Sequence, residues 1–275
     1  MRARVIVGLV GAPIGIWAVW VGGIPFAAAM LFVACVAAYE YALMCRTKAW
    51  SPSALLVVAA SAMFVADAVF YNGRFTGLAL TFVLLGSLFL EVAKGRPVNS
   101  VGGPALEVFG SLYCGWTLGR FCLIRSSLGD AGRGIALLFV ILVWMNDMGA
   151  FFTGRAFGRR KLSPGLSPSK TVEGAIGGVV WTLAASVVLK ALGDASGLWY
   201  TLNWLHACIL ALAVAGCGQL GDLAESAMKR DAGIKDAGWI LPGHGGILDR
   251  FDSFFFAAPV AYYYLILIIP GLGGM

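Results

Sequence analysis

Six of the chain's 14 acidic residues fall between positions 222 and 252: Asp222, Glu225, Asp231, Asp236, Asp249 and Asp252. Four of its 20 basic residues, Lys229, Arg230, Lys235 and Arg250, share that stretch with His244, one of two histidines. Almost everything around it is apolar, and ionisable groups next to hydrocarbon are costly unless they pair or perform chemistry. If helix continues through its start, Asp222, Glu225, Ser226 and Lys229 follow i, i+3, i+4, i+7 spacing and share one face. Asp249 and Asp252 form a second i, i+3 pair. Two such carboxylate pairs suit a hard divalent cation such as Mg2+, which takes a few carboxylates, keeps some waters and binds phosphate oxygens. Lys229, Arg230, Lys235 and Arg250 supply the positive charge a polyphosphate requires. In the turn Pro242-Gly-His-Gly-Gly246, the glycines let backbone N–H groups come close to an anion. His244 can hydrogen-bond a phosphate or move a proton. A solvated loop of internal ion pairs is the plainer alternative; the ordering Lys-Arg, Lys-Asp, Gly-His-Gly-Gly, Asp-Arg-x-Asp speaks against it.

A second polar segment runs from Asn146-Asp147 to Glu173-Gly174. Asp147 lies about two helical turns inside a span, where an uncompensated carboxylate costs roughly 2.5–3.5 kcal/mol. It should face the protein interior and a partner, a metal or a lysine; an interhelical hydrogen bond with Asn146 and Thr153 is the alternative. Ser167-Pro-Ser-Lys170-Thr breaks helix and offers hydroxyls, amide donors and a cation suited to phosphate. Gly216-Cys-Gly-Gln-Leu-Gly221 fits G-x-G-x-x-G, but no strand precedes it, and dinucleotide binding needs strand-turn-helix. Close helix packing through small residues is the better reading there. The chain has no Walker A, HExxH or G-x-S-x-G motif.

These groups need a scaffold that lives in lipid. Hydrophobic residues make up 60% of the chain and charged ones 12%, against ~25% charged in soluble domains. With a mean hydropathy of +0.85, a soluble globular fold is excluded. The apolar runs are long enough to cross a hydrocarbon core as helices and lack the alternation of barrel strands. Nine spans are expected, near 5–21, 24–44, 53–71, 75–90, 104–123, 134–154, 174–192, 202–221 and 251–273. The first is read as an uncleaved span rather than a signal peptide. Span 104–123 fits least well, because Glu107 and Arg120 lie inside it. Placing the N-terminus in the cytoplasm puts fifteen basic residues on that side and leaves five for the other, a strong positive-inside bias. The connections 155–173 and 222–250 then share the cytoplasmic face, where a soluble nucleotide would be. The net charge of +6 reflects topology and headgroup contact rather than nucleic acid. The six cysteines are scattered without CxxC and read as inert buried thiols. The expected fold is therefore an all-α integral membrane protein, one polytopic domain over 1–275. Its N-terminal helices occupy 1–125 and its catalytic half 134–275, with a polar cavity open to the cytoplasm.

The run Ser226-x-x-Lys229-Arg230-x4-Lys235-Asp236-x-Gly238-x-x-Leu241-Pro242-x-His244-Gly245-Gly246-Ile247-x-Asp249-Arg250-x-Asp252 resembles the defining motif of the CDP-diacylglycerol synthases, or phosphatidate cytidylyltransferases. It spans 27 residues without a gap. Gly221-Asp222-Leu-x-Glu225-Ser226 and the segment Asp147 to Glu173 also resemble that family, and Tyr39-Glu40-Tyr41 does so approximately. The resemblance implies transfer of the cytidylyl group of CTP to phosphatidic acid, giving CDP-diacylglycerol and pyrophosphate, with Mg2+ and a second cation, K+ or another Mg2+. It implies a bacterial inner-membrane enzyme, a homodimer, working on the cytoplasmic face. On this reading Asp222 and Asp249 ligate metal with Asp147 as contributor. Lys170, Lys229, Arg230 and Arg250 hold phosphates, and Ser226, Lys235, Asp236, His244, Gly245 and Gly246 complete the nucleotide pocket. The nearest rival is a cytidylyltransferase or CTP-dependent kinase acting on another lipid phosphate or polyprenol. A transporter is more remote, since no inverted repeat is evident and the charges gather at one face.

Overall fold

Backbone groups in hydrocarbon must be satisfied within their own segment, so apolar runs of this length become helices. The computed structural model describes residues 2–46, 52–95, 101–196, 202–238 and 245–269, the side chains of 2–10 and 130 excepted. Among these residues the regular structure is helical apart from one short hairpin, with turns and short connections between elements. The helices are α1 (Arg2–Val21), α2 (Gly23–Cys45), α3 (Ala54–Phe70), α4 (Thr76–Lys94), α5 (Gly102–Ser111), α6 (Thr117–Ser126), α7 (Gly129–Phe157), α8 (Val172–Ser196), α9 (Trp204–Asp231) and α10 (Leu248–Ile268). A π turn over Leu112–Trp116 joins α5 to α6, so the ten helices lie where the nine spans were expected. Six of them, α2, α4, α7, α8, α9 and α10, are long and apolar enough to cross a membrane. On α4 the large side chains Leu85, Phe89 and Val92 point outward, as a lipid-facing helix would have them.

The helix ends depart from expectation where the site lies. The polar start of the 222–250 connection is helix through Asp231, and α10 begins at Leu248 rather than near 251. Asp222, Glu225, Ser226, Lys229, Asp249 and Asp252 therefore all sit on helices. The 155–173 connection is not open coil. Strands β1 (Lys161–Ser163) and β2 (Ser167–Thr171) form an antiparallel hairpin with Lys161 opposite Thr171 and Ser163 opposite Ser167.

The chain forms two units. The first comprises Met1–Ser126 and Met228–Phe251, the second Ser127–Ala227 and Asp252–Met275, so α9 and α10 each contribute to both. In the first unit α3 is packed by α2, α4, α5 and α6, burying Val57, Ala60, Phe64 and Val65. The two charges that made span 104–123 doubtful have partners there. Glu107 is fully buried, and its Oε1 accepts from the amide of Ser53 at 2.7 Å, at the start of α3. The Arg120 guanidinium lies over the Trp116 ring, 4.7 Å from its centroid. Asp67, near the end of α3, accepts from the Phe75 amide at 2.7 Å and the Thr76 hydroxyl at 2.8 Å, which fixes the start of α4. Arg125 donates from Nε to the carbonyl of Val19 at 2.6 Å, close to the end of α1. Each of these four charges serves a helix terminus or a ring rather than lipid.

Gly115, in the π turn, lies against the backbone of Ser61 on α3, where a Cβ would collide. Backbone cannot yield as a flexible side chain can. Gly115→Val should cost roughly 1–3 kcal/mol through overpacking, read as a lower melting temperature in detergent, while the matching change at Gly77, which meets nothing, should leave it unaltered.

Candidate active site

In the second unit, a small-residue approach creates the site. Gly218 and Gly221 of α9 lie against Ser253 and against the backbone of Asp252 on α10. The Ser253 hydroxyl donates to the Gly218 carbonyl at 3.2 Å. The G-x-G-x-x-G pattern is thus a helix contact, as its apolar setting suggested. The contact places Asp252 beside the first polar turn of α9. Carboxylate oxygens of Asp222, Glu225 and Asp252 lie within 4.8 Å of one another. Glu225 is fully buried and Asp252 is only 9% exposed.

Lys170 reaches this group from β2, with Nζ 2.6 Å from Asp222 Oδ2. The hairpin that carries it is fastened at both ends. The Thr171 hydroxyl accepts from the Gly174 amide at 3.1 Å and so caps α8. The Glu173 carboxylate accepts from the amides of Arg159 at 3.0 Å and Arg160 at 3.1 Å. Beside Lys170 and Asp222 opens a cavity of about 460 Å3, which Asn146, Asp147, Thr171 and Gln219 also line. Asp147 is exposed in it rather than enclosed in a packed interior. Gln219 ties the cavity wall together by donating to Asn146 Oδ1 at 3.0 Å and to the Ala175 carbonyl at 2.9 Å.

In the first unit, Asp249 is the hub. Its Oδ1 meets Lys229 Nζ at 2.6 Å, both side chains being largely buried. Its Oδ2 accepts from the amides of Ala237 at 3.0 Å and Gly246 at 2.7 Å. Gly245 adopts φ +80° and lies next to the same carboxylate. Arg230, Lys235, Asp236 and Arg250 are exposed, and Ser226 is buried in the second unit. His244 lies outside the described residues.

Sequence reasoning paired the carboxylates by spacing along each helix. The structure instead groups Asp222 with Glu225 and Asp252, and gives Asp249 a lysine and two amides. Spacing marks Glu225 and Asp252 as members of the two carboxylate pairs suited to a cation, whereas the ligands the family resemblance implies are Asp222, Asp249 and Asp147. Gln219 had no signal beyond being a polar residue in an apolar run.

The sequence profile of the cytidylyltransferase family matches residues 2–268. The chain belongs to the cytidylyltransferase family. Curated relatives align along nearly all of it. The phosphatidate cytidylyltransferase of Bacillus subtilis (strain 168) is 34% identical, covering 97% of this chain and 98% of the relative. That of Brucella suis is also 34% identical, covering 96% and 93%. The Synechocystis protein of the same name is 31% identical and covers 99% of each. The family match extends from α1 to α10, well beyond the motif-bearing half.

In this cytidylyltransferase Lys229→Met leaves the largely buried Asp249 carboxylate without its cation, a change worth roughly 3–5 kcal/mol when a buried pair loses one member. The double variant Lys229→Met/Asp249→Asn should recover a good part of that loss. Urea titrations in detergent of the two variants would separate the outcomes; equal losses would show that the uncompensated Asp249 carboxylate is not the source of the cost.

Proposed function

We propose that the protein is a phosphatidate cytidylyltransferase: it transfers the cytidylyl group of CTP to phosphatidic acid and releases pyrophosphate, giving CDP-diacylglycerol for phospholipid synthesis. Full-length relatives of that name support the reaction. The observation that carries the site is the trio Asp222, Glu225 and Asp252 with Lys170 on Asp222, at the edge of a cavity.

Three carboxylates within 4.8 Å repel one another unless cations neutralise them, and an all-oxygen set of this kind is what Mg2+ prefers. The fit is good: the three side chains offer oxygen ligands close together, and the Lys170 ammonium already faces Asp222. Asp222, Glu225 and Asp252 would hold Mg2+. Asp147 and Asp249 are the carboxylates left for a second cation, K+ or another Mg2+, which at Asp249 Oδ1 would take the place of the Lys229 ammonium. Bound there, such ions neutralise the charge that develops on phosphate oxygens.

The remaining work belongs to the chain. The phosphate of phosphatidic acid is already an anionic nucleophile, so no strong general base is required. One of its oxygens forms a bond to the α-phosphorus of CTP as the bond from that phosphorus to the bridging β-phosphate oxygen breaks, and pyrophosphate leaves with the electron pair. Catalysis of this kind is alignment and charge stabilisation. We assign Lys170, Lys229, Arg230 and Arg250 to the phosphates. Ser226, Lys235, Asp236, His244, Gly245 and Gly246 are assigned to the nucleotide. The charge asymmetry of the connections supports a cytoplasmic site and the bacterial relatives support a bacterial inner membrane, in a single polytopic domain whose nine spans end outside. A homodimer is the assembly that the family resemblance implies.

Detergent-purified protein given phosphatidic acid, Mg2+ and CTP labelled at the α-phosphate should move label into the organic phase with equimolar pyrophosphate. Asp222→Asn should lower kcat/KM by roughly 100-fold or more, the scale of losing one electrostatic stabiliser, and chelation should abolish turnover until Mg2+ is returned. Full activity in Asp222→Asn would overturn the metal assignment. No transfer to phosphatidic acid under conditions where the Bacillus subtilis relative works, with transfer to another lipid phosphate, would overturn the substrate.

A further inference from the structure

Glu40 is a buried carboxylate that the chemistry above leaves unused. It lies in α2 and is 1% exposed. Its Oε2 accepts a hydrogen bond at 2.8 Å from the amide of Leu248, 208 residues later and the first residue of α10. Gly238 and Gly246 lie against the same carboxylate so closely that a Cβ on either would collide with it. Its other oxygen, Oε1, is buried without a hydrogen-bond partner among the described residues. Asp249, next to Leu248, takes the amides of Ala237 and Gly246. The two ends of the segment 237–248 are therefore gathered on two carboxylates, one at the head of α10 and one brought in from α2.

Gly238, Gly245 and Gly246 have no side chains of their own and lose much backbone freedom on ordering, so a group outside them has to fix their position. A carboxylate is well suited: its bond to an amide is charge-assisted, and negative charge is favoured at a helix N-terminus. An apolar residue of the same size would fill the space at 40 but could accept nothing from Leu248.

We propose that Glu40 is a positioning residue for nucleotide binding. By holding the first amide of α10 and filling the space against which Gly238 and Gly246 pack, it sets Gly245, Gly246, Asp249 and Arg250 at the spacing the CTP polyphosphate needs, without touching substrate itself. The inference rests on the functional reading above for the role of those four residues.

The test compares Glu40→Ala, Glu40→Gln and Glu40→Asp in the full-length protein, reading melting temperature, kcat, KM for each substrate, and CTP binding by calorimetry in Mg2+ without lipid. Glu40→Ala should weaken CTP binding and raise the KM for CTP roughly tenfold or more, the scale of one hydrogen bond to a charged group, with little change in the KM for phosphatidic acid. Glu40→Gln keeps an acceptor for the Leu248 amide at the same reach and should restore most of the loss. Glu40→Asp keeps the charge but falls short by one methylene and should not. If Glu40→Ala does not fold, the Gln and Asp variants decide alone. Wild-type CTP affinity in Glu40→Asp, or KM values for both substrates rising together with a fall in melting temperature, would overturn the proposal. A wild-type protein that binds CTP yet transfers nothing to phosphatidic acid would overturn the substrate reading instead, and the calorimetric comparison would still decide the role of Glu40.

Discussion

The contact of α9 with α10 through Gly218 and Gly221 is the constraint from which the second unit's chemistry follows. Helices carrying larger residues there would stand further apart, and Asp252 would not reach Asp222 and Glu225. Crowding three carboxylates is unfavourable in itself, and helix packing holds them in place. Glu225 and Asp252 are buried away from water, where uncompensated charge is costly, so the group depends on cations: Lys170 in the protein and, in our reading, a metal. The hairpin that carries Lys170 is correspondingly fastened at Thr171 and Glu173. A lysine on a loose loop would neutralise Asp222 only part of the time.

The same economy governs charges elsewhere. Glu107, Asp67 and Arg125 each meet backbone amides or a carbonyl at the end of another helix. Helix termini have unsatisfied groups and in-span charges need partners, so each side's need meets the other's. Lys190 is treated likewise: it pairs with Asp194 one turn on and lies over the Trp204 ring, 5.8 Å from its centroid.

Much of this was legible in the sequence, for a physical reason. A lipid-embedded chain writes its helices as apolar runs, and its charges stand out because each is costly. The positions of the helices and the gathering of ionisable groups at 222–252 followed from those two facts. The pairing of charges did not. Asp222 and Asp249 looked like equivalent partners because each begins an i, i+3 pair. The structure separates their roles through contacts that spacing along one helix cannot express, the Gly221–Asp252 approach and the amides of Ala237 and Gly246. Glu40 was harder still. Its meaning lies in an amide 208 residues away, and within α2 it reads only as an acidic residue in a span. The hairpin escaped notice because Ser167-Pro-Ser-Lys-Thr has the composition of a loop, and its two strands together make barely a turn.

The π turn between α5 and α6 has a further consequence. A π turn holds one residue more than the α-helical backbone around it needs. Five residues in this wider turn sweep about the same angle as four in an α-helix, so the extra residue is absorbed where it stands. Glu107 before it and Arg120 after it keep nearly the facing that an unbroken helix would give them, while Gly115 inside it lies against Ser61. The turn thus works as an expansion joint: relatives one residue shorter in this stretch should keep both contacts, whereas a residue added within α5 or α6 themselves would turn one of them away.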